Sequence, residues 1–229
     1  NFTWKTNLNF STNRNEILDL GANDFIYVGW AGSGNVWFHG RHVARLEAGH
    51  PVGAFYGSVM HPNSVWKDQK EIDEVGTMPD ASPGDYRFVD TNGDGSYTGD
   101  DDTYVGNPNP DFIYGLTNTF SIGNFNVRLF LQGTYGNDIL MLTKNELAGG
   151  TNLWREDREN RWTPDNKITG PNVTGSANSG PRYGQDVIGP VGRQGYPNVV
   201  NTDNVYDGSF LRVKNLRIAY TLPQSLTGF

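Results

Sequence analysis

Between Phe112 and Gly133 the chain alternates so regularly that few folds can accept it. From Phe112 the large apolar residues fall on even positions, Phe112, Tyr114, Leu116 and Phe120, with Asp111, Ile113, Gly115, Thr117 and Thr119 between them. After Gly123-Asn124 they move to odd positions, Phe125, Val127, Leu129 and Leu131, opposite Asn124, Asn126, Arg128, Phe130 and Gln132. A period of two puts each set on its own face of a strand, and the short Gly-Asn joint makes the pair an antiparallel hairpin. Each arm has the ~9–11 residues that a tilted strand needs to cross a bilayer. The polar face carries Asn, Gln, Thr, Gly and one Arg instead of the Lys and Glu that a soluble sandwich shows to water. An apolar outside and a polar inside mark an outer-membrane barrel. Alternation by itself leaves an ordinary two-layer β protein open as well.

Taken in order, the rest of the chain predicts further crossings. Residues 1–11 place Phe2, Trp4, Leu8 and Phe10 on one face of a strand and Asn1, Thr3, Lys5, Asn7 and Asn9 on the other. Residues 12–34 read as a loop with an apolar island at Phe25–Val28. Residues 35–46 and 52–60 read as two less regular strands, joined by a turn at Glu47–Pro51. Residues 61–109 form a long polar excursion, and 135–209 a second one, with a short helix expected over Ile139–Ala148. A last strand covers 210–222, with Leu216, Ile218, Tyr220 and Leu222 on its apolar face and a slip of register near Lys214-Asn215. Connections then alternate long, short, long, short, long. Barrels of the outer membrane have long extracellular loops and short periplasmic turns. On that rule 12–34, 61–109 and 135–209 are extracellular, and Glu47–Pro51 and Gly123 periplasmic.

Composition removes several function classes. No apolar run exceeds four residues, as at Ile139–Leu142, and mean hydropathy is −0.57, which excludes a transmembrane helix but not a barrel strand with one wet face. A net charge of −7 with scattered basic residues argues against nucleic acid as a partner. The absence of cysteine rules out disulfides and thiolate metal sites.

Several collinear motifs carry a family resemblance. Pro51-Val-Gly-Ala-Phe-Tyr-Gly57, Asp90-Thr-Asn-Gly-Asp-Gly95, Gly106-Asn-Pro-Asn-Pro110 and Gln132-Gly-Thr-Tyr-Gly-Asn-Asp138 come first. Arg161-Trp-Thr-Pro164, Asp207–Leu216 and Tyr220-Thr-Leu-Pro223 follow. Over nearly its whole length the chain resembles the C-terminal barrel of SusC/RagA-type TonB-dependent transporters. The resemblance implies an all-β, antiparallel transmembrane barrel of about 22 strands, plugged by an N-terminal domain, with long extracellular loops. It implies import of oligosaccharides or peptides with TonB-supplied energy, a SusD-like surface lipoprotein as lid, and residence in the outer membrane. Residues 1–229 are expected to be part of one barrel domain, with plug and final strands lying outside them, and not an enzyme. The alternative is a soluble calcium-binding β-sandwich or carbohydrate-binding module.

The residues also suggest binding sites. Asp90, Asn92, Asp94, Gly95, Ser96, Thr98 and Asp101 match positions 1, 3, 5, 6, 7, 9 and 12 of an EF-hand-like loop. Such a loop wraps oxygen donors around Ca²⁺, with glycine at the sharp turn and a backbone carbonyl from position 7. Asp101 in place of a bidentate Glu points to a weak structural site, no tighter than roughly 10⁻⁴ to 10⁻³ M. The competing reading is an Asp/Asn/Gly turn. Trp154, Tyr183 and Tyr196 are candidates for stacking on substrate in the second long excursion, whereas Trp162 is expected to pack that loop on itself. His39, His42, His50 and His61 lack ligand spacing, and Asp100-Asp101-Asp102 belongs to the loop and not to a glycosidase pair.

Overall fold

The computed structural model describes residues 1–31, 41–141, 155, 159–170, 200–223 and 228. It is built almost wholly of strands. In chain order these are β1 (Phe2–Ser11), β2 (Phe25–Ala31), β3 (Arg41–Glu47), β4 (Phe55–Gly57) and β5 (Met60–Val65), then the helix α1 (Gln69–Val75). β6 (Tyr86–Phe88), β7 (Thr103–Gly106), β8 (Phe112–Ile122), β9 (Phe125–Tyr135), β10 (Asp138–Leu140), β11 (Val205–Asp207) and β12 (Phe210–Tyr220) follow. Among the described residues no helix is long and apolar enough to cross a membrane.

The chain divides into two compact units. The first comprises residues 1–15, 108–138 and 207–229, and the second 16–107 and 139–206. The first is a four-stranded antiparallel sheet in the order β1-β8-β9-β12. β8 and β9 are the anticipated hairpin, with Ile122 paired to Phe125 around Gly123-Asn124. Gly123 supplies a φ of 57°, the positive value that the first central position of a type II′ turn requires. β12 carries the anticipated slip, its register with β9 shifting between Val213 and Asn215. One inserted residue, Lys214, moves the apolar set from odd positions (Leu211, Val213) to even ones (Leu216, Ile218, Tyr220) while holding it on one face, as a β-bulge does.

Strand count is where the sequence reading needs correction. Segments 35–46 and 52–60 are not strands of this sheet. β3 and β4 pair with β2 and β7 in a separate sheet of the second unit. They are 7 and 3 residues long, too short to cross a bilayer, and they bury Ala44, and Ala54 just before β4, instead of exposing an apolar row. The Glu47–Pro51 turn belongs to the same unit and is clasped by Ile17, whose N–H donates to the His50 carbonyl while the Gly49 N–H donates to its carbonyl, both at 2.9 Å. Among the described residues four long strands remain, with connections 12–111, 123–124 and 136–209: long, short, long. Register puts Ser11, Phe112, Tyr135 and Phe210 at one edge and Phe2, Ile122, Phe125 and Tyr220 at the other. Both long excursions therefore leave from one edge and the two-residue turn from the opposite one.

The second unit holds a conventional core of Val65, Trp66, Ile72, Met78, Tyr86, Phe88, Tyr97 and Trp162. Trp162 packs there, donating its indole N–H to the Lys67 carbonyl at 3.0 Å. The helix α1 was hidden in the polar run 61–109. Asp68 caps it by accepting the Glu71 N–H at 3.1 Å, Gly76 ends it in the left-handed region at φ 72°, and only Ile72 is buried. The helix expected over Ile139–Ala148 is not formed at its start: Ile139 and Leu140 belong to β10, which pairs with β11. Its remainder from 142 lies outside the described residues.

Candidate functional site

The four-stranded sheet is the first candidate, and its two faces differ completely. Five cross-strand rows on one face read Phe10–Tyr114–Gly133–Leu211, Leu8–Leu116–Leu131–Val213, Thr6–Asn118–Leu129–Leu216, Trp4–Phe120–Val127–Ile218 and Phe2–Ile122–Phe125–Tyr220. Aliphatic side chains fill the middle and aromatic ones both edges. At the excursion edge Phe112 stacks on Phe10 and Tyr135 with centroids 5.2 and 5.0 Å apart. At the turn edge Phe125 meets Tyr220 at 4.6 Å, and Trp4 stacks on Phe120 at 6.0 Å. These residues are not covered: Leu8 is 66% exposed, Trp4 61%, Leu216 59% and Ile218 66%. An exposed apolar band between two aromatic girdles is the pattern that outer-membrane barrel strands present to lipid. Ten or eleven residues per strand, at about 3.3 Å each and tilted by about 40°, span the ~25 Å of that band.

One polar pair interrupts the apolar face and is satisfied within it. Asn118 Oδ1 accepts from Trp4 Nε1 at 2.9 Å and from Thr6 Oγ1 at 2.7 Å, as polar groups facing hydrocarbon must be. The opposite face reads Ser11–Ile113–Thr134–Phe210, Asn9–Gly115–Gln132–Arg212, Asn7–Thr117–Phe130–Asn215, Lys5–Thr119–Arg128–Arg217 and Thr3–Ser121–Asn126–Ala219. Amides, hydroxyls and cations dominate it, with Ile113, Phe130, Phe210 and Ala219 among them. Gly133 has a packing reason on the apolar face, because a Cβ there would lie 2.4 Å from the Tyr114 hydroxyl oxygen.

The second candidate is the loop from Asp90 to Asp101. Its turns form as the sequence suggests. Asp90 accepts the N–H groups of Gly93 at 2.6 Å and Gly95 at 2.8 Å, Asn92 accepts that of Asp94 at 2.8 Å, and Asp94 that of Ser96 at 2.8 Å. Gly93 and Gly95 take φ of 76° and 89°, angles that favour glycine. Asp101 plays another part. It is fully buried, and its carboxylate accepts the N–H groups of Thr91 at 2.8 Å, Asn92 at 3.2 Å and Thr98 at 2.7 Å. Burial would raise its pKa, but the amides of Thr98, Asn92 and Thr91 hold it below the ordinary carboxylate value. Thr98 accepts the Asp100 N–H and forms a capping box with Asp101. Asp102 accepts from Ser58 Oγ at 2.7 Å, and Ser58 also meets the Tyr97 hydroxyl at 2.6 Å. Asp101 and Asp102 thus tie the loop to the core, while Asp90, Asn92, Asp94, Ser96 and Thr98 stand at its outer side. The side-chain oxygens of Asp90, Asn92 and Asp94 each keep a lone pair beyond the amide they accept, so this outer set suits a hard cation. Among the described residues no three His, Cys, Asp or Glu side chains converge as a ready metal set.

The described histidines make structural contacts. His50 stacks on Tyr104 at 3.7 Å, His42 stacks on Tyr27 at 5.3 Å, and His61 Nδ1 accepts the Asn63 N–H at 3.1 Å. Trp154, Tyr183, Tyr196 and His39 lie outside the described residues. A cluster not anticipated from sequence surrounds Arg45, which lies over the Phe25 ring at 4.0 Å and the Tyr56 ring at 4.8 Å and pairs with Glu47 at 3.1 Å. Burial and the hydrogen bond to Glu47 push the Tyr104 hydroxyl up to about 12. Only the pairing of β2, β3, β4 and β7 brings these residues together.

With that geometry in place, the comparisons are informative. No family model matches the chain. TonB-dependent receptor P26 of Formosa agariphila is 35% identical over 233 aligned residues, covering all of this chain and 21% of the relative. TonB-dependent receptor P3 of the same organism is 32% identical over 228 residues, covering 99% of this chain and 20% of the relative. The chain therefore spans about a fifth of the length of these relatives. Among solved structures it superimposes on the RagAB peptide transporter with a TM-score of 0.62, and on the RagAB peptide importer in its closed-closed state with 0.65. Both match at 20% identity, covering 98% of this chain and 21% of theirs, a likeness of fold. Whole-chain identity to named receptors and the two-faced sheet agree: along its whole length this chain matches a stretch of TonB-dependent receptors.

Proposed function

We propose that β1, β8, β9 and β12 are part of the wall of an outer-membrane nutrient importer. In this reading they continue into a closed, plugged barrel of about 22 strands, with the apolar face on lipid and the polar face on the lumen. The excursion edge is extracellular and the Gly123 edge periplasmic. Cargo is an oligosaccharide or peptide, TonB supplies the energy through parts of the protein beyond this chain, and a SusD-like surface lipoprotein acts as lid. The chain forms wall and loops and turns over no substrate. The observation that carries the reading is the uncovered apolar band between two aromatic edges, set against a reverse face made mostly of polar residues.

A chain without cysteine makes the test direct. Single substitutions Thr119→Cys on the polar face and Leu129→Cys on the apolar face go into the full-length protein in outer membranes, and a water-soluble maleimide is added. Thr119→Cys labels and Leu129→Cys does not. Equal labelling of both sinks the importer reading and favours the soluble alternative, a calcium-binding sandwich or carbohydrate-binding module. That alternative has the self-contained core of the second unit in its favour.

We further propose that Asp90, Asn92 and Asp94, with Ser96 and Thr98, hold a structural calcium ion at the outer side of the acidic loop, Asp101 serving as internal anchor. The ion would supply charge neutralisation there and no chemistry. Calcium added after chelation protects the loop from protease, and Asp90→Ala abolishes the protection. A loop equally resistant with and without calcium is a turn alone.

A further inference from the structure

Two clefts on the polar face of the four-stranded sheet adjoin one another and share Asn7 and Thr117. The first is lined by Asn7, Asn9, Gln132 and the ring of Phe130. Phe130 leans toward Gly115, whose missing Cβ would lie 3.4 Å from its Cε2. A half-buried aromatic ring packed beside a glycine and flanked by three amides can offer its remaining face to a pyranose. The amides donate to and accept from the ring hydroxyls, and the electron-rich face of the arene receives the axial C–H groups.

The second cleft is lined by Lys5, Arg128 and Arg217. These three share one cross-strand row with Thr119, and Arg128 is the direct register partner of Arg217. Neighbouring strands are about 4.8 Å apart, and like charges directly opposite destabilise a sheet. β1, β8, β9 and β12 contain five basic residues and no Asp or Glu, in a chain whose net charge is −7. No carboxylate in the sheet offsets the row. The arrangement makes sense if an anion from outside the sheet comes to it.

We propose that this strip binds an anionic oligosaccharide, with a sugar ring over Phe130 and a carboxylate or sulfate substituent on Lys5, Arg128 and Arg217. The inference rests on the polar face being the lumen and narrows the cargo class of that reading. An acidic peptide offers the same charge without the polyhydroxylated ring that the amide-flanked arene fits.

The test uses the full-length importer in detergent and calorimetric binding of four probes: tetragalacturonate, a sulfated carrageenan tetrasaccharide, the uncharged maltotetraose and hexaglutamate. At least one of the two anionic sugars binds more tightly than both maltotetraose and hexaglutamate. The double variant R128Q/R217Q weakens that binding at least about tenfold, since each lost charge-assisted hydrogen bond is worth about 1.5 kcal/mol or more. R128K/R217K, which keeps the charge, restores most of it, and Phe130→Ala weakens the anionic and neutral sugars alike. The proposal is overturned if neither anionic sugar outbinds maltotetraose, if hexaglutamate binds best, or if R128Q/R217Q leaves anionic-sugar affinity unchanged. The last result would mean that carboxylates elsewhere in the protein neutralise the row. The cysteine labelling at Thr119 and Leu129 keeps the two readings apart: alternating labels with any of these outcomes sink the cargo class and leave the wall intact.

Discussion

The two units of this chain treat water in opposite ways. Among the described residues every buried apolar side chain, from Ile17 to Val200, belongs to the second unit. The first unit has the longest rows of exposed ones, including Phe2, Trp4, Leu8, Leu211, Val213, Leu216 and Ile218. Charge divides with them. The segments of the first unit carry six basic and three acidic residues, and those three, Asp111, Asp138 and Asp207, all flank the excursion edge. The rest of the chain holds the remaining acidic excess. Both units are mostly strand, so secondary structure does not separate them. What separates them is where their apolar side chains go: into a core in the second unit, and onto one uncovered sheet face in the first.

That contrast can be broken most forcefully in the second unit. Trp66 is completely buried there, and Trp66→Ala should cost that unit about 3–5 kcal/mol. Hydrogen exchange in the intact receptor should show the 60–100 region opening while β8 and β9 stay protected; loss of protection in both would mean that one core serves the whole chain. Next comes Leu131→Arg in the middle of the apolar face, at about 2–4 kcal/mol if that face meets the bilayer midplane. Thr117→Arg on the reverse face is the control and should cost little. Urea unfolding in lipid vesicles compares them, and indifference to Leu131→Arg would remove lipid from that face.

The acidic loop sharpens the comparison further. Asp101→Asn keeps the shape but loses a charge that three amides solvate, about 2 kcal/mol of loop stability. The pH dependence has a definite sign. A carboxylate held below its ordinary pKa stabilises the fold fully above the unfolded value of about 3.9. That contribution is lost as pH falls through the lower folded value. Protease sensitivity of the loop should therefore rise only below about pH 4, and in Asp101→Asn the acid step should shrink. The smallest effect is expected at Asn118→Leu, which strands the Trp4 and Thr6 donors in lipid for about 1 kcal/mol. A stabilised variant would show instead that water reaches that part of the apolar face.

Much of the first unit was legible from residues alone, because a strand with two unlike faces carries its alternation within its own residues. β1, both arms of the hairpin, β12 and even the slip at Lys214 follow from where Phe, Leu and Val fall. The acidic loop was legible as a turn from its Asp, Asn and Gly positions. At position 12 of that loop Asp101, expected among the ligands, is buried and accepts three backbone amides. That role depends on the amides of Thr91, Asn92 and Thr98 closing around it, which spacing does not reveal.

The sequence by itself determined a two-faced sheet, its turn and its polarity, since period-two patterning is a local property that each strand carries in full. Tertiary structure alone decided which strands share that sheet. β3 and β4 lie in another sheet because of their partners, β2 and β7, and because just after β4 the Ser58 N–H donates to the Val200 carbonyl. Short strands gain their stability from such long-range pairing and not from their own pattern, and so their place in the fold cannot be read from the residues within them.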